Sequence, residues 1–319
     1  MQALSAEIDR TEIPLITSAF VGGGTPSLVD PHQLVAAIKR LPLDAGAEVT
    51  VECNPDNVTA ALAEVYVSSG VNRISLGVQS MQENVLQILG RAHNPANVRT
   101  AVEHARTAGI AEINLDLIYG SVGESLDDVR RTVEQVLELE PTHVSAYGLT
   151  VEPGTPLSRD ESRFPDDDDE ADKYLIVNEM LEAAGYRNYE ISNWAKPGSQ
   201  CRHNILYWQQ GNYIGFGCAA HSHVDGRRWW NIRTPDRYIE AVGSGESVEA
   251  SHELLDDQAR RTERAQLALR MADGVPESYF TSDDLELLEG HVEVANGRAR
   301  LTPSGRLLAN EIAVRLVVD

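Results

Sequence analysis

The first half of the chain alternates short apolar, β-branched runs with amphipathic stretches. Five runs, Ser18–Val21, Val49–Cys53, Arg73–Val78, Glu112–Ile118 and His143–Leu149, have the continuous apolar character of strands buried on both faces. Helical stretches separate them. Pro31–Arg40 begins with proline behind Asp30, a good N-cap. Thr59–Ser69 ends at Gly70 and Pro95–Ala108 at Gly109, both suited to a left-handed C-terminal turn. Ser125 and Asp128 have the spacing of a capping box that opens a helix running to Glu138. Ala3–Arg10 reads as the end of a helix. Such alternation predicts parallel strands joined by right-handed crossovers, hence an α/β barrel or a doubly wound sheet.

The pattern changes near residues 158–170. Asp166–Glu170 reads as the acidic start of an apolar-periodic helix, Lys173–Ala184, favoured by the helix dipole. Aromatic residues crowd positions 186–234. From about residue 250 the signals are a helix over Leu254–Ala272, a short one over Ser282–Glu289, a hairpin and a last helix over Pro303–Val317. The hairpin is Val292–Val294 and Arg298–Leu301 around Asn296-Gly297. Together they predict a small helical, winged-helix-like domain. The expected division is 1–165, 166–240 and 241–319.

A chain of 319 residues with 42% hydrophobic content supports one large or two smaller packed domains. The net charge of -22 argues against binding to nucleic acid or to an anionic membrane, which needs a basic face. No apolar run approaches the roughly 20 residues that span a bilayer. The first residues lack a basic start followed by an apolar stretch, so no signal peptide is read there. Three cysteines, Cys53, Cys201 and Cys218, do not make a disulfide framework, and a reduced, cytoplasmic protein is expected.

In parallel α/β architectures ligands bind at the carboxyl ends of the strands. Here those ends carry Gly22–Thr25, Glu52 with Asn54, Gln79 with Ser80, Asp116 with Tyr119, and Tyr147 with Gly148. Taken singly, Glu52 or Asp116 could pair with an arginine and Gln79 could cap a helix. Five polar or glycine-rich ends in succession point instead to a ligand site. A glycine turn between strand and helix lets backbone approach a small charged ligand. Two inward carboxylates suit a cationic one, and Arg91, on the segment after the Gln79 strand, could clamp a carboxylate.

These residues resemble a known family. GGGTPSL, VECNPDN, GVNRISLGVQS, LGRAHN, INLDLIYG, SAYGLTVEPGT and HNILYW, in this order, are similar to the oxygen-independent coproporphyrinogen III oxidase-like family of radical SAM proteins, and within it to the haem-chaperone branch. The resemblance covers essentially the whole chain. It implies a partial (β/α)6 barrel, S-adenosylmethionine and a [4Fe-4S] cluster. Carried over by position, Gly23, Gly24 and Thr25 would lie along the methionine end of S-adenosylmethionine. Glu52, Gln79, Arg91 and Asp116 match its remaining contacts. Sulfonium, ammonium and carboxylate are the groups that two carboxylates, an arginine and glycine amides would complement. HNILYW matches the branch motif HNxxYW, which makes His203 the candidate haem ligand, with Asn204, Tyr207 and Trp208 positioning it or stacking on the porphyrin. Without the resemblance, the same segment reads as a packed aromatic turn. Cys201-x-His203 and Cys218-x-x-His221-x-His223 also have metal-type spacing, or belong to ordinary glycine-rich structure.

One departure matters. The family binds its cluster through CxxxCxxC after the first barrel strand, and no such motif occurs here. The expectation is therefore a family member that lacks its first strand and cluster loop, with Ser18–Val21 as an exposed edge. The resemblance implies haem binding and delivery to haem-requiring proteins. It leaves open oxidation of coproporphyrinogen III by a longer form, or an inactive fragment. Whether the protein is a monomer or a homodimer stays open.

Overall fold

The computed structural model describes every residue except Ala92, Pro156 and Asp319. The chain forms two compact units: Met1–Ala19, Asp30–Glu48 and the chain from Cys201 onward make one, and Phe20–Val29 with Val49–Gln200 the other.

One seven-stranded sheet has the order β1 (Ile16–Val21), β2 (Leu43–Cys53), β3 (Arg73–Gln79), β4 (Glu112–Tyr119), β5 (His143–Gly148), β7 (Asn193–Ala195), β6 (Arg187–Glu190). The four strands from β2 to β5 pair in parallel, with Thr50 beside Arg73, Arg73 beside Glu112 and Asn114 beside His143. All five predicted strands are present; β2 begins six residues and β1 two residues before the expected start, and the other three differ by one residue at an end. Val51, Ile74, Leu76, Val78, Leu115, Val144 and Ala146 are wholly buried, as strands covered on both faces require. The sheet is not parallel throughout. β7 runs antiparallel to β5, and β6 antiparallel to β7. This short hairpin follows a helix but returns within two residues, too short a link for a crossover.

The helices of the second unit follow their sequence signals except the short one over Glu83–Ile88, which had no expected counterpart. They are α3 (Ala60–Val67), α4 (Glu83–Ile88), α5 (Pro95–Ala108), α6 (Leu126–Glu138) and α7 (Asp167–Ala183), after α1 (Gln2–Arg10) and α2 (Pro31–Ile38) of the first. Asp30 accepts hydrogen bonds from the N–H groups of His32 and Gln33, and α5 ends on Gly109 at φ 101°. Ser125 and Asp128 form the capping box reciprocally. α7 begins six residues before Lys173, because Asp166 caps it and four acidic residues occupy its first turn.

The first unit holds α1, α2, α8 (Arg202–Trp208), β8 (His221–Val224), β9 (Arg227–Asn231), α9 (Pro235–Ser244), β10 (Glu249–Leu254) and α10 (Asp257–Leu269). After these come β11 (Val275–Pro276), α11 (Ser282–Leu287), β12 (Val292–Ala295), β13 (Arg298–Leu301), α12 (Pro303–Leu307) and α13 (Ala309–Ala313). β8, β9 and β10 form an antiparallel sheet, so the expected helix from Leu254 instead starts after Asp256, its N-cap. The hairpin β12–β13 turns on Asn296 and Gly297, both at positive φ. The expected final helix breaks in two at Leu308, whose backbone at φ -108°, ψ 22° is not helical. Among the described residues no helix is long and apolar enough to cross a membrane.

Candidate functional site

The carboxyl ends of β1 to β5 assemble a polar cluster in the second unit. Gly22, just past β1, lies against Glu52: an added Cβ there would sit 2.8 Å from Glu52 Oε2. Gly23 and Gly24 adopt φ of 80° and 64°, where side chains are strained. The Gly23 N–H donates to Glu52 Oε2 at 3.3 Å. Thr25 then precedes a short 3-10 turn, Pro26–Leu28. Asn54 and Ser80, the other polar residues at these ends, have local duties. Asn54 accepts from the N–H of Asp56, and Ser80 Oγ lies 3.1 Å from Thr132 Oγ1.

Asp116, facing the same end from β4, accepts from the Ser75 hydroxyl at 2.6 Å and from Asn114 Nδ2 at 2.7 Å. Asn114 is held in turn by Ser145 and His143, and His143 by the Tyr189 hydroxyl at 2.8 Å. Burial keeps His143 neutral by lowering its pKa to about 3, with the charge of Arg73 adding to the effect. Burial raises the Glu52 carboxyl above its ordinary range; the Gly23 N–H opposes this, and the Asp116 charge reinforces it. Asp116 is raised as well, by burial, against the hydrogen bonds it accepts. The Asp116 charge thus acts on a second buried carboxyl, an arrangement that favours a cationic guest.

Gln79 ends β3 at φ 65°, unusual for a side chain of its size. A bulge between Gly77 and Gln79 produces this, and a Cβ on Gly77 would meet Gln79 Nε2 at 3.0 Å. Strain of this kind collects at binding sites. Arg91 is exposed, and no hydrogen bond or ion pair joins its side chain to Glu52, Gln79 or Asp116. The structure therefore gathers Gly22–Thr25, Glu52 and Asp116 but leaves Arg91 apart from them.

Sequence reasoning missed the support behind these residues and one carboxylate beside them. Ser75, Asn114, Ser145 and His143 lie next to apolar residues within strands, which masks them as ordinary strand polarity, and Tyr189 sits between Asn188 and Glu190 in a strand that was not expected. Glu170, in the first turn of α7, tucks against the ends of β4 and β5. A Cβ at Gly120 would approach its Oε1 to 2.3 Å and one at Gly148 to 3.1 Å. Its Oε1 is buried with no hydrogen-bond partner among the described residues. The only advance signal was the pair of glycines.

The second cluster lies in the first unit, on α8. Glu48, buried in β2, accepts from the N–H of Arg202 at 3.1 Å and of His203 at 3.0 Å, and from the Cys201 thiol at 3.3 Å. His203 Nδ1 lies 2.9 Å from Ser18 Oγ of β1, and its Nε2 lies 3.1 Å from the Tyr207 hydroxyl. The two rings meet edge to face, with Tyr213 edge-on to Tyr207. Burial lowers the pKa of His203, against the Glu48 charge, so the imidazole keeps a lone pair at neutral pH. The indole N–H of Trp208 is buried without a partner among the described residues. Asn204 is half-buried beside these groups on the helix. The HNILYW segment is therefore a helix, not the aromatic turn of the alternative reading. His223 spends its Nδ1 on Gly211 O and its Nε2 on the Gly226 N–H. Among the described residues no three His, Cys, Asp or Glu side chains gather to hold a metal ion.

Sequence comparison places these clusters in a family. The radical SAM superfamily pattern matches residues 3–136. The protein named heme chaperone HemW from Mycobacterium tuberculosis is 37% identical, over 99% of this chain and 85% of its own length. HemW of Escherichia coli is 37% identical over 93% of this chain and 83% of its own, and that of Bacillus subtilis 33% over 98% and 88%. The chain belongs to the HemW family. The structure of E. coli coproporphyrinogen III oxidase (HemN), described as a radical SAM enzyme, superposes with a TM-score of 0.84 at 21% identity, covering 98% of this chain and 81% of that one. This likeness establishes the fold, a curled, largely parallel half-barrel sheet with a helical C-terminal region. Both the HemW membership and the radical SAM fold meet the expectation from sequence.

Proposed function

We propose that this HemW-family chain binds haem through His203 and hands it to haem-requiring proteins. The observation that carries the reading is the state of His203. It is a neutral imidazole on a braced helix, with Nε2 3.1 Å from the hydroxyl of an exposed tyrosine. Imidazole nitrogen in that state is a common axial ligand for haem iron. Tyr207 and Trp208 supply aromatic surface and an unpartnered N–H beside it, and Asn204 completes the motif. The names of the curated relatives support the same reading. The likeness to HemN is one of fold, so the oxidase reading rests on less.

The strand-end cluster fits S-adenosylmethionine. Glu52 and Asp116 would face its cationic groups, and Gly23, Gly24 and Thr25 would line its methionine end. Gln79 would bond a polar edge, and Arg91 would pair with its carboxylate once the ligand is bound. When bound with a reduced cluster, S-adenosylmethionine supplies radical chemistry. The cysteines of this chain do not fit that cluster. Burial, with the charge of Glu52, pushes the Cys53 thiol up to about 12, the reverse of a metal-binding thiolate. The Cys201 thiol is engaged with Glu48. A cytoplasmic setting with reduced thiols suits haem binding and delivery. The three-part division at residues 165 and 240 is our proposed functional map.

The test is transfer. The chain is loaded with ferric haem, freed of excess, and mixed with a haem-free acceptor protein. Growth of the acceptor's own Soret band at the expense of the donor's supports the reading. Retention of haem by the chain, or failure to load, refutes it.

A further inference from the structure

His203 is held from two directions that the haem motif itself does not contain. Its Nδ1 meets Ser18 Oγ on β1 at 2.9 Å. Its backbone is clamped by Glu48 on β2, which also takes the Arg202 N–H and the Cys201 thiol. Both residues lie far from the motif in sequence, and all three belong to the same compact unit.

We propose that Ser18 and Glu48 are positioning residues for His203: Ser18 takes the Nδ1 proton and leaves the Nε2 lone pair for iron, while Glu48 fixes the helix that carries the ring. The inference rests on the reading of His203 as the haem ligand. A neutral imidazole has one donor and one acceptor nitrogen. With Nδ1 donating to Ser18 Oγ, Nε2 accepts from the Tyr207 hydroxyl at 3.1 Å. Ligation of iron through Nε2 would displace that hydroxyl, which sits on a partly exposed side chain. The opposite tautomer would put a proton on Nε2 and block ligation. Fixing the tautomer through the distal nitrogen is how proteins commonly prepare histidine ligands.

Glu48 acts on the frame instead of the ring. The first N–H groups of a helix have no partner within it. Here two of them, from Arg202 and His203, bond to one buried carboxylate. Removing it would leave both donors without their acceptor and let the first turn of α8 fray, which carries the imidazole with it.

The experiment uses the full chain. Side-chain nitrogen NMR of the haem-free protein reports which His203 nitrogen carries the proton, the signal being identified by its loss in His203→Ala. Wild type is expected to show the Nδ1–H form, and Ser18→Ala a mixture or the Nε2–H form. Ser18→Thr, which keeps the hydroxyl, restores it. Ferric haem titrations should show affinity falling about 10- to 100-fold in Ser18→Ala, the usual effect of losing such a support, and recovering in Ser18→Thr. Glu48→Gln should leave the tautomer unchanged and weaken haem binding at least several-fold. An Nε2–H wild type, or a Ser18→Ala protein with unaltered tautomer and affinity, overturns the role of Ser18. Unaltered affinity in Glu48→Gln overturns that of Glu48. Failure of the underlying reading looks different: His203→Ala would then bind haem as wild type does, whatever the tautomer.

Discussion

Gly120→Ala tests whether the end of β4 is built around Glu170. Gly120 sits at φ 94°, and a Cβ there would stand 2.3 Å from Glu170 Oε1, 2.6 Å from its Cγ and 2.9 Å from its Cδ. The left-handed backbone alone costs an alanine about 1–2 kcal/mol. Displacing a packed side chain adds about 1–3 kcal/mol. The sum is about 2–5 kcal/mol. Gly23→Ala separates the two contributions: its φ of 80° carries the same backbone penalty, but nothing lies within 4 Å of the added carbon. It should cost only about 1–2 kcal/mol. A double-mutant cycle completes the case. In a Glu170→Ala background the obstruction is gone, so Gly120→Ala should fall to the cost of the Gly23 variant, a coupling of about 1–3 kcal/mol. Urea denaturation followed by far-ultraviolet circular dichroism measures all five proteins. Equal costs of Gly120→Ala in the two backgrounds would refute the packing of Glu170 against the strand end.

Other expectations follow from the same geometry. Gly22→Ala should swing Glu52 off the Gly23 N–H and weaken S-adenosylmethionine binding about tenfold by calorimetry, with little change in thermal stability; unchanged affinity would remove Glu52 from that site. Asp116 has a raised pKa in the folded chain, so its contribution favours folding at low pH and is lost as pH rises through the folded value. Asp116→Asn should therefore be more thermally stable than wild type at neutral pH, with the gap closing as pH falls toward the carboxylate range; a gap that widens on acidification would contradict this. Glu7 is buried and accepts from Asn231 Nδ2, the Gly217 N–H and the Tyr238 hydroxyl. Glu7→Ala leaves three donors without their acceptor and should cost about 3 kcal/mol or more in urea denaturation.

The parallel strands and their helices were legible because each signal was local. Apolar runs such as Arg73–Val78, the Asp30 and Ser125 caps and Gly109 decide their elements within a few residues. The antiparallel β6–β7 hairpin was not legible, since Asn188, Glu190 and Asn193 make it polar yet buried through hydrogen bonds visible only in three dimensions. The helix break at Leu308 was hidden for a related reason: the packing of Gly305 against the His291 backbone carries no sequence pattern. Within the site, the residues at strand ends could be named from their spacing and from the family resemblance. Their supports could not. Ser18 and Glu48 act on His203 across separations of 185 and 155 residues, and nothing local marks them.

The central claim is that His203 holds haem. Ferric haem titrated into the full chain and into His203→Ala, followed at the Soret band, tests it most directly. Wild type should saturate with a shifted band characteristic of imidazole ligation, and the variant should lose that shift and bind at least tenfold more weakly. Identical bands and affinities in the two proteins would contradict the account.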